Sequence, residues 1–140
     1  MRYYSTRDKK LEFSFTEIFS RGLAPDGGLF IPSDLKKYNN SELKSLQNLA
    51  YVDLATEIIS NFCSSDLEKK KLKTLISKAY DNFFTKEVVK IKKVGDIHLL
   101  ELYHGPTLAF KDIAMQVIGN LFDELNIADK KKVNIVVATS

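Results

Sequence analysis

An α/β architecture is predicted by a change of apolar period near residue 84. Before it, helical spacing dominates; after it, β-type runs flank one long helical stripe. Tyr51, Leu54, Ala55, Ile58, Ile59 and Phe62 form the first stripe, and Leu72, Leu75, Ile76, Ala79, Tyr80 and Phe83 form a second along the next helix. Residues 88–94 and 97–102 are rich in branched apolar side chains, and 133–138 reads as a buried strand. Strand, helix, strand in that order predicts a right-handed βαβ unit. The expected organisation is a helical domain over 1–84 and the opening of an α/β domain over 85–140, with the boundary near 82–88.

Each element has a local cause. Residues 2–6 are rich in tyrosine and threonine and read as a short extended piece. Ser14 and Glu17 have the spacing of a capping box and Gly22 follows as a stop, which brackets a short helix over 15–21. Pro25-Asp26-Gly27-Gly28 supplies the fixed and the positive backbone angles of a chain reversal. In the helix from Tyr51, Asp53, Glu57 and Ser60 fall opposite the apolar stripe, and Ser65 with Glu68 offers a second capping box for the helix after it. Gly95-Asp96 suits a tight hairpin turn. Beyond the turn at His104-Gly105-Pro106-Thr107, a broad stripe runs through Phe110, Ile113, Ala114, Val117, Ile118, Leu121, Phe122 and Leu125. Open α/β sheets collect ligands beyond the carboxyl ends of their strands, where this turn and Thr139-Ser140 are expected.

Composition removes several function classes. A chain of 140 residues with 44% hydrophobic content fills one domain, or a small domain plus the opening units of another. The net charge of +3, from 21 basic and 18 acidic residues, is too even for a nucleic-acid or anionic-membrane surface. The lysines at 69–71 and 130–132 read as solvated faces. Cys63 is the single cysteine and cannot form an internal disulfide, no apolar run spans a bilayer, and the first ten residues lack a signal-peptide core, so the cytoplasm is the expected compartment. One cysteine with His98 and His104 assembles no zinc-type spacing, so no metal is expected.

Lys111 stands in His104-Gly105-Pro106-Thr107-Leu108-Ala109-Phe110-Lys111-Asp112, at what reads as the start of a helix. Helix starts expose unpaired N–H groups and the positive end of the dipole, which favour an anion and a neutral, nucleophilic amine. Partial burial beside Leu108 and Phe110 is expected to depress the amine's pKa further. On spacing alone, Lys111 reads as one of many solvated lysines. His104 has two readings, a contact to an anionic substrate group or a bond within its own turn. Thr107 reads as the cap of the following helix or as a ligand contact. Asp112 complements the helix dipole or orients polar groups, while Gly105 and Pro106 set the shape of the turn.

The words themselves say more. HGPTLAFKD resembles the cofactor-lysine segment of the threonine synthase family, whose members depend on pyridoxal 5'-phosphate (PLP). Tyr4-Ser5-Thr6-Arg7 and the run from Gly22 to Pro32 resemble the amino-terminal segment of the same family, in the same order. The resemblance extends from about Arg2 to Ser140 and implies the first part of a PLP-dependent fold type II enzyme, truncated where the family continues into a Gly-rich phosphate loop. It implies Lys111 as the catalytic and cofactor-binding residue, Ser140 on the cofactor side, and His104 and Thr107 on the substrate side. The implied substrate is O-phospho-L-homoserine, converted with water to L-threonine and phosphate. Alone, the piece is expected to be inactive and to self-associate through strand 133–138 or the bare face of the Lys111 helix. Threonine synthase-like phospholyases share these words, and a non-catalytic interaction module is a reading of a different class.

Overall fold

The structure, a computed structural model, describes residues 1–129 together with Asn134 and Val136. The extended piece near the amino terminus is β1 (Tyr3–Ser5), the centre of a three-stranded antiparallel sheet between β2 (Glu12–Phe13) and β3 (Phe30–Pro32). Its partners, two and three residues long, are strands only through their pairing with it. What brings β3 home is the Pro25–Gly28 turn. Ser5, fully buried, shares its hydroxyl proton between the two Asp26 carboxylate oxygens at 2.7 and 2.8 Å, and Asp26 also accepts the Gly28 N–H at 2.9 Å. These bonds, the Gly28 N–H first, hold the Asp26 carboxyl below the usual range. A Cβ on Gly28 would stand 2.2 Å from Ser5 Oγ, so the approach requires glycine.

Helix α1 (Phe15–Arg21) is capped by the reciprocal Ser14–Glu17 box and ends at Gly22, whose φ is +72°. Helix α2 (Asn40–Leu46) carries its own box from Asn39 and Glu42. It buries no residue, so it has no apolar stripe to betray it. Helices α3 (Tyr51–Cys63) and α4 (Lys69–Tyr80) lie antiparallel, as the ion pairs Lys69–Glu57 and Lys73–Asp53 require. The second capping box is not formed. Asp66 and Leu67 fold back onto the Cys63 carbonyl, and Ser65 bonds to Asp66. Helix α4 therefore starts beyond Ser65's reach, with Glu68 at its cap position making no side-chain bond. Its stripe also stops at Tyr80; Phe83 packs edge-on against that ring from the turn beyond, 5.1 Å between centroids.

Strands β4 (Lys90–Val94) and β5 (Ile97–Glu101) pair antiparallel through Gly95, which takes φ +61°. Helix α5 (Asp112–Asp129) packs on α4: Tyr80 donates to the Ile113 carbonyl at 3.0 Å, Asn120 to the Leu75 carbonyl at 3.2 Å, and Lys71 pairs with Glu124. One core results, in which Leu72, Ile76 and Cys63 meet Val117 and Leu121 of α5 and Tyr3, Phe13 and Phe15 from the amino-terminal layer. Lys69, Lys71 and Lys73 of α4 are ion-paired on its surface, as expected for a solvated face. Of the run 133–138, expected as the buried strand that closes a βαβ unit, only Asn134 and Val136 are described, and neither is in a strand or buried, Val136 being 97% exposed; the rest of that run, Lys130, Lys131 and Lys132, and Thr139-Ser140 lie outside the described residues. No helix among the described residues is long and apolar enough to cross a membrane.

Candidate active site

The chain leaves β5 at Glu101 and reaches α5 eleven positions later, and everything that singles out Lys111 happens between them. Asp112, 3% exposed, organises the turn. Its Oδ2 accepts the Thr107 N–H and its Oδ1 accepts the Thr107 hydroxyl, both at 2.8 Å. A carboxylate accepting two short bonds in a buried position is a strong local clip. Gly105 lies against it so closely that a Cβ there would sit 2.4 Å from Asp112 Cβ. The closed turn forces Leu108 to φ +60°, a conformation uncommon for a residue with a side chain.

The expectation for Asp112 as a dipole complement is therefore incomplete, because its carboxylate is spent on holding Thr107. Thr107 in turn is not the helix cap. That position belongs to Lys111, whose carbonyl accepts the Met115 N–H at 2.9 Å, the first i to i+4 bond of the helix. The amine is thus delivered at a helix start, as predicted. The expected partial burial is not seen: Lys111 is itself exposed, and Leu108 and Phe110 beside it stand 63% and 64% exposed.

Lys111 borders an open cavity of about 490 Å³, lined also by Tyr51, Val89, Leu100, Leu102, Phe110, Ile113, Ala114 and Met115. Apart from the lysine and the Tyr51 hydroxyl the walls are apolar. Burial raises the Tyr51 hydroxyl's pKa, so that wall stays neutral. His104 does not line this cavity and is held separately: its Nε2 lies 3.0 Å from Glu101 Oε2, and its carbonyl accepts the Phe84 N–H at 2.9 Å. Glu101 is kept below the usual carboxylate range first by the Tyr103 hydroxyl and then by His104. The structure so brings Lys111, Thr107 and His104 into one turn, while Ser140 lies outside the described residues. Glu101 carried no periodic signal, being the last residue of an exposed strand. No group of three or more His, Cys, Asp or Glu suited to a metal exists among the described residues.

A mixed α/β chain whose clipped turn leads one lysine into a helix start beside an apolar cavity is the class this fold and site define. Comparison with known proteins narrows it. The family profile described as threonine synthase N terminus matches residues 2–80. Threonine synthase of Schizosaccharomyces pombe is 38% identical over 123 residues, covering 86% of this chain and 24% of that protein. Threonine synthase of Pseudomonas aeruginosa is 36% identical over 141 residues, covering 100% and 30%, and threonine synthase-like 2 of Xenopus laevis is 37% identical, covering 100% and 30%. Among solved structures, PLP-bound threonine synthase from Brucella melitensis superposes with a TM-score of 0.89 at 29% identity, over 94% of this chain and 29% of that one. Yeast threonine synthase gives 0.85 at 37% identity, over 92% and 27%. The chain belongs to the threonine synthase family, and it spans 24% to 30% of the length of these curated relatives. Its helical first part and mixed architecture match the amino-terminal portion of the solved enzymes.

Proposed function

We propose that this chain supplies the lysine-bearing portion of a threonine synthase, which converts O-phospho-L-homoserine and water to L-threonine and phosphate with PLP as cofactor. The observation that carries the reading is Lys111 at the cap of α5, beside an apolar cavity, in a chain similar to a PLP-bound threonine synthase. The residues present fit two of the cofactor's needs: an amine for its aldehyde and apolar walls for the faces of its ring. The walls of this cavity offer no cradle for its phosphate, and Ser140 is the residue assigned to that end. When bound, PLP supplies the electron sink. Lys111 would supply the amine and would move the protons the conversion requires, one off Cα and back, one off Cβ and one onto Cγ where the phosphate departs, while water adds its hydroxyl at Cβ and its remaining proton goes to the phosphate. Thr107 has committed its hydroxyl proton to Asp112, so toward substrate its oxygen acts as an acceptor. His104 is the candidate contact for the substrate's phosphate group.

The test is the site of covalent capture. Borohydride reduction of the full-length protein with PLP is expected to leave the pyridoxyl mass on the peptide containing Lys111, and Lys111→Ala to abolish it. Equal labelling of both proteins overturns the reading. The domain division that goes with it is a helical unit over 1–84 and the opening of the PLP-binding α/β unit over 85–140, and the compartment is the cytoplasm.

By itself the 140-residue chain is proposed to be inactive and to self-associate. Phe110, Met115 and Ile118 about α5 and Ile91, Ile97 and Leu100 on the hairpin are 41% to 71% exposed, a concentration of apolar surface that soluble monomers seldom tolerate. Sedimentation velocity should show mass rising with concentration. A strict monomer at high concentration contradicts it.

A further inference from the structure

Glu101, Tyr103 and His104 form a second ionisable cluster adjoining the Lys111 turn, in which Glu101 and Tyr103 take no part in the proposed reaction. The Glu101 and His104 side chains are only 17% and 14% exposed, and they are joined at 3.0 Å through His104 Nε2. The Tyr103 ring lies 4.7 Å from the imidazole, centroid to centroid, and the Phe84 N–H fixes the backbone of the same residue. A histidine held from three sides has one orientation. Among the described residues its other ring nitrogen, Nδ1, makes no side-chain hydrogen bond.

We propose that Glu101 is a positioning residue: it commits Nε2 of His104 and leaves Nδ1 as the ring atom that meets a phosphate monoester. The inference rests on the proposed synthase reading, which supplies a phosphorylated substrate. The chemistry comes from the donor inventory. A carboxylate only accepts, so the nitrogen facing it must carry hydrogen, and a neutral ring is then confined to the Nε2–H tautomer. Phosphate oxygens also accept, so Nδ1 must be protonated when the substrate is bound. With a phosphate monoester on the far side the ring lies between two acceptors, Glu101 at Nε2 and a phosphate oxygen at Nδ1. The other ionisable groups around the pair are the Tyr103 hydroxyl and, from the neighbouring strand, Lys92. A second-neighbour carboxylate that sets ring tautomer and charge is a general device for tuning histidine.

The test has two arms. In the 140-residue chain, long-range nitrogen–proton NMR of the two histidines is read at a pH where both rings are neutral. His98, exposed on β5, serves as the reference. His104 is expected to show one tautomer, with Nε2 protonated and Nδ1 not. Glu101→Ala should return it to the averaged pattern of His98, and Glu101→Gln, whose amide can accept from Nε2 or donate to it, should no longer confine the ring to the Nε2–H form. In the full-length protein, both variants remove the charge. Each should raise KM for the phosphorylated substrate about tenfold, the usual scale for one lost charge-assisted contact, with kcat moving far less. A wild-type His104 that averages like His98 overturns the proposal, as does an unchanged KM in Glu101→Ala. Neither result touches the Lys111 adduct, so failure here is distinct from failure of the synthase reading.

Discussion

Replacing Asp112 with alanine should destabilise the chain by about 3 kcal/mol, roughly the worth of two bonds to a buried carboxylate whose donors are then left unpaired. The carboxylate has no substitute: it alone accepts both the Thr107 N–H and the Thr107 hydroxyl, and Gly105 packs directly on it. Without it, only the Leu108 N–H bond to the Gly105 carbonyl, 3.1 Å, is left to hold Leu108 at positive φ, and the turn that aims Lys111 should relax toward ordinary backbone angles. Asp112→Asn provides the control. One amide oxygen still accepts the backbone N–H, and the amide NH2 donates to the Thr107 oxygen in place of accepting from it, so the loss should be about 1 kcal/mol. Urea unfolding of the three proteins measures both. An alanine variant as stable as the parent would show that the clip is dispensable.

Leu72→Ala is expected to cost about 3 kcal/mol, within the range of large-to-small changes at fully buried sites. Leu72 is 0% exposed at the centre of the cluster joining α3, α4, α5 and the amino-terminal layer, so its lost volume has rigid neighbours on all sides. The same change at Leu43 on α2, 51% exposed, should stay within about 0.5 kcal/mol. Equal midpoints for the two variants in thermal unfolding would place the core elsewhere.

The elements that were readable in the sequence share one property: their signal is local. The α1 cap, the stripes of α3 and α5, the Gly95 hairpin and the Pro25–Gly28 turn each rest on residues within a few positions of one another. Helix α2 was equally local, in its Asn39–Glu42 box, but it packs nothing and so lacked the apolar period that drew attention to the others. The Ser65–Glu68 box had the right spacing and failed, because the chain there folds back on Cys63. Spacing permits a cap; competing bonds decide it.

The amino-acid sequence by itself determined the family, through two ordered words around Arg7 and Lys111, and with it the mixed architecture and the position of the amine at a helix start. Only the tertiary structure decided what surrounds that amine. Asp112 became the clip of its turn, Lys111 took the cap position in place of Thr107, and Glu101 captured His104, because each depends on side-chain directions across a closed loop. Local propensity fixes which residues are near in sequence and of what type. Which carboxylate meets which donor is set when the loop closes between β5 and α5, and a linear pattern does not encode that geometry.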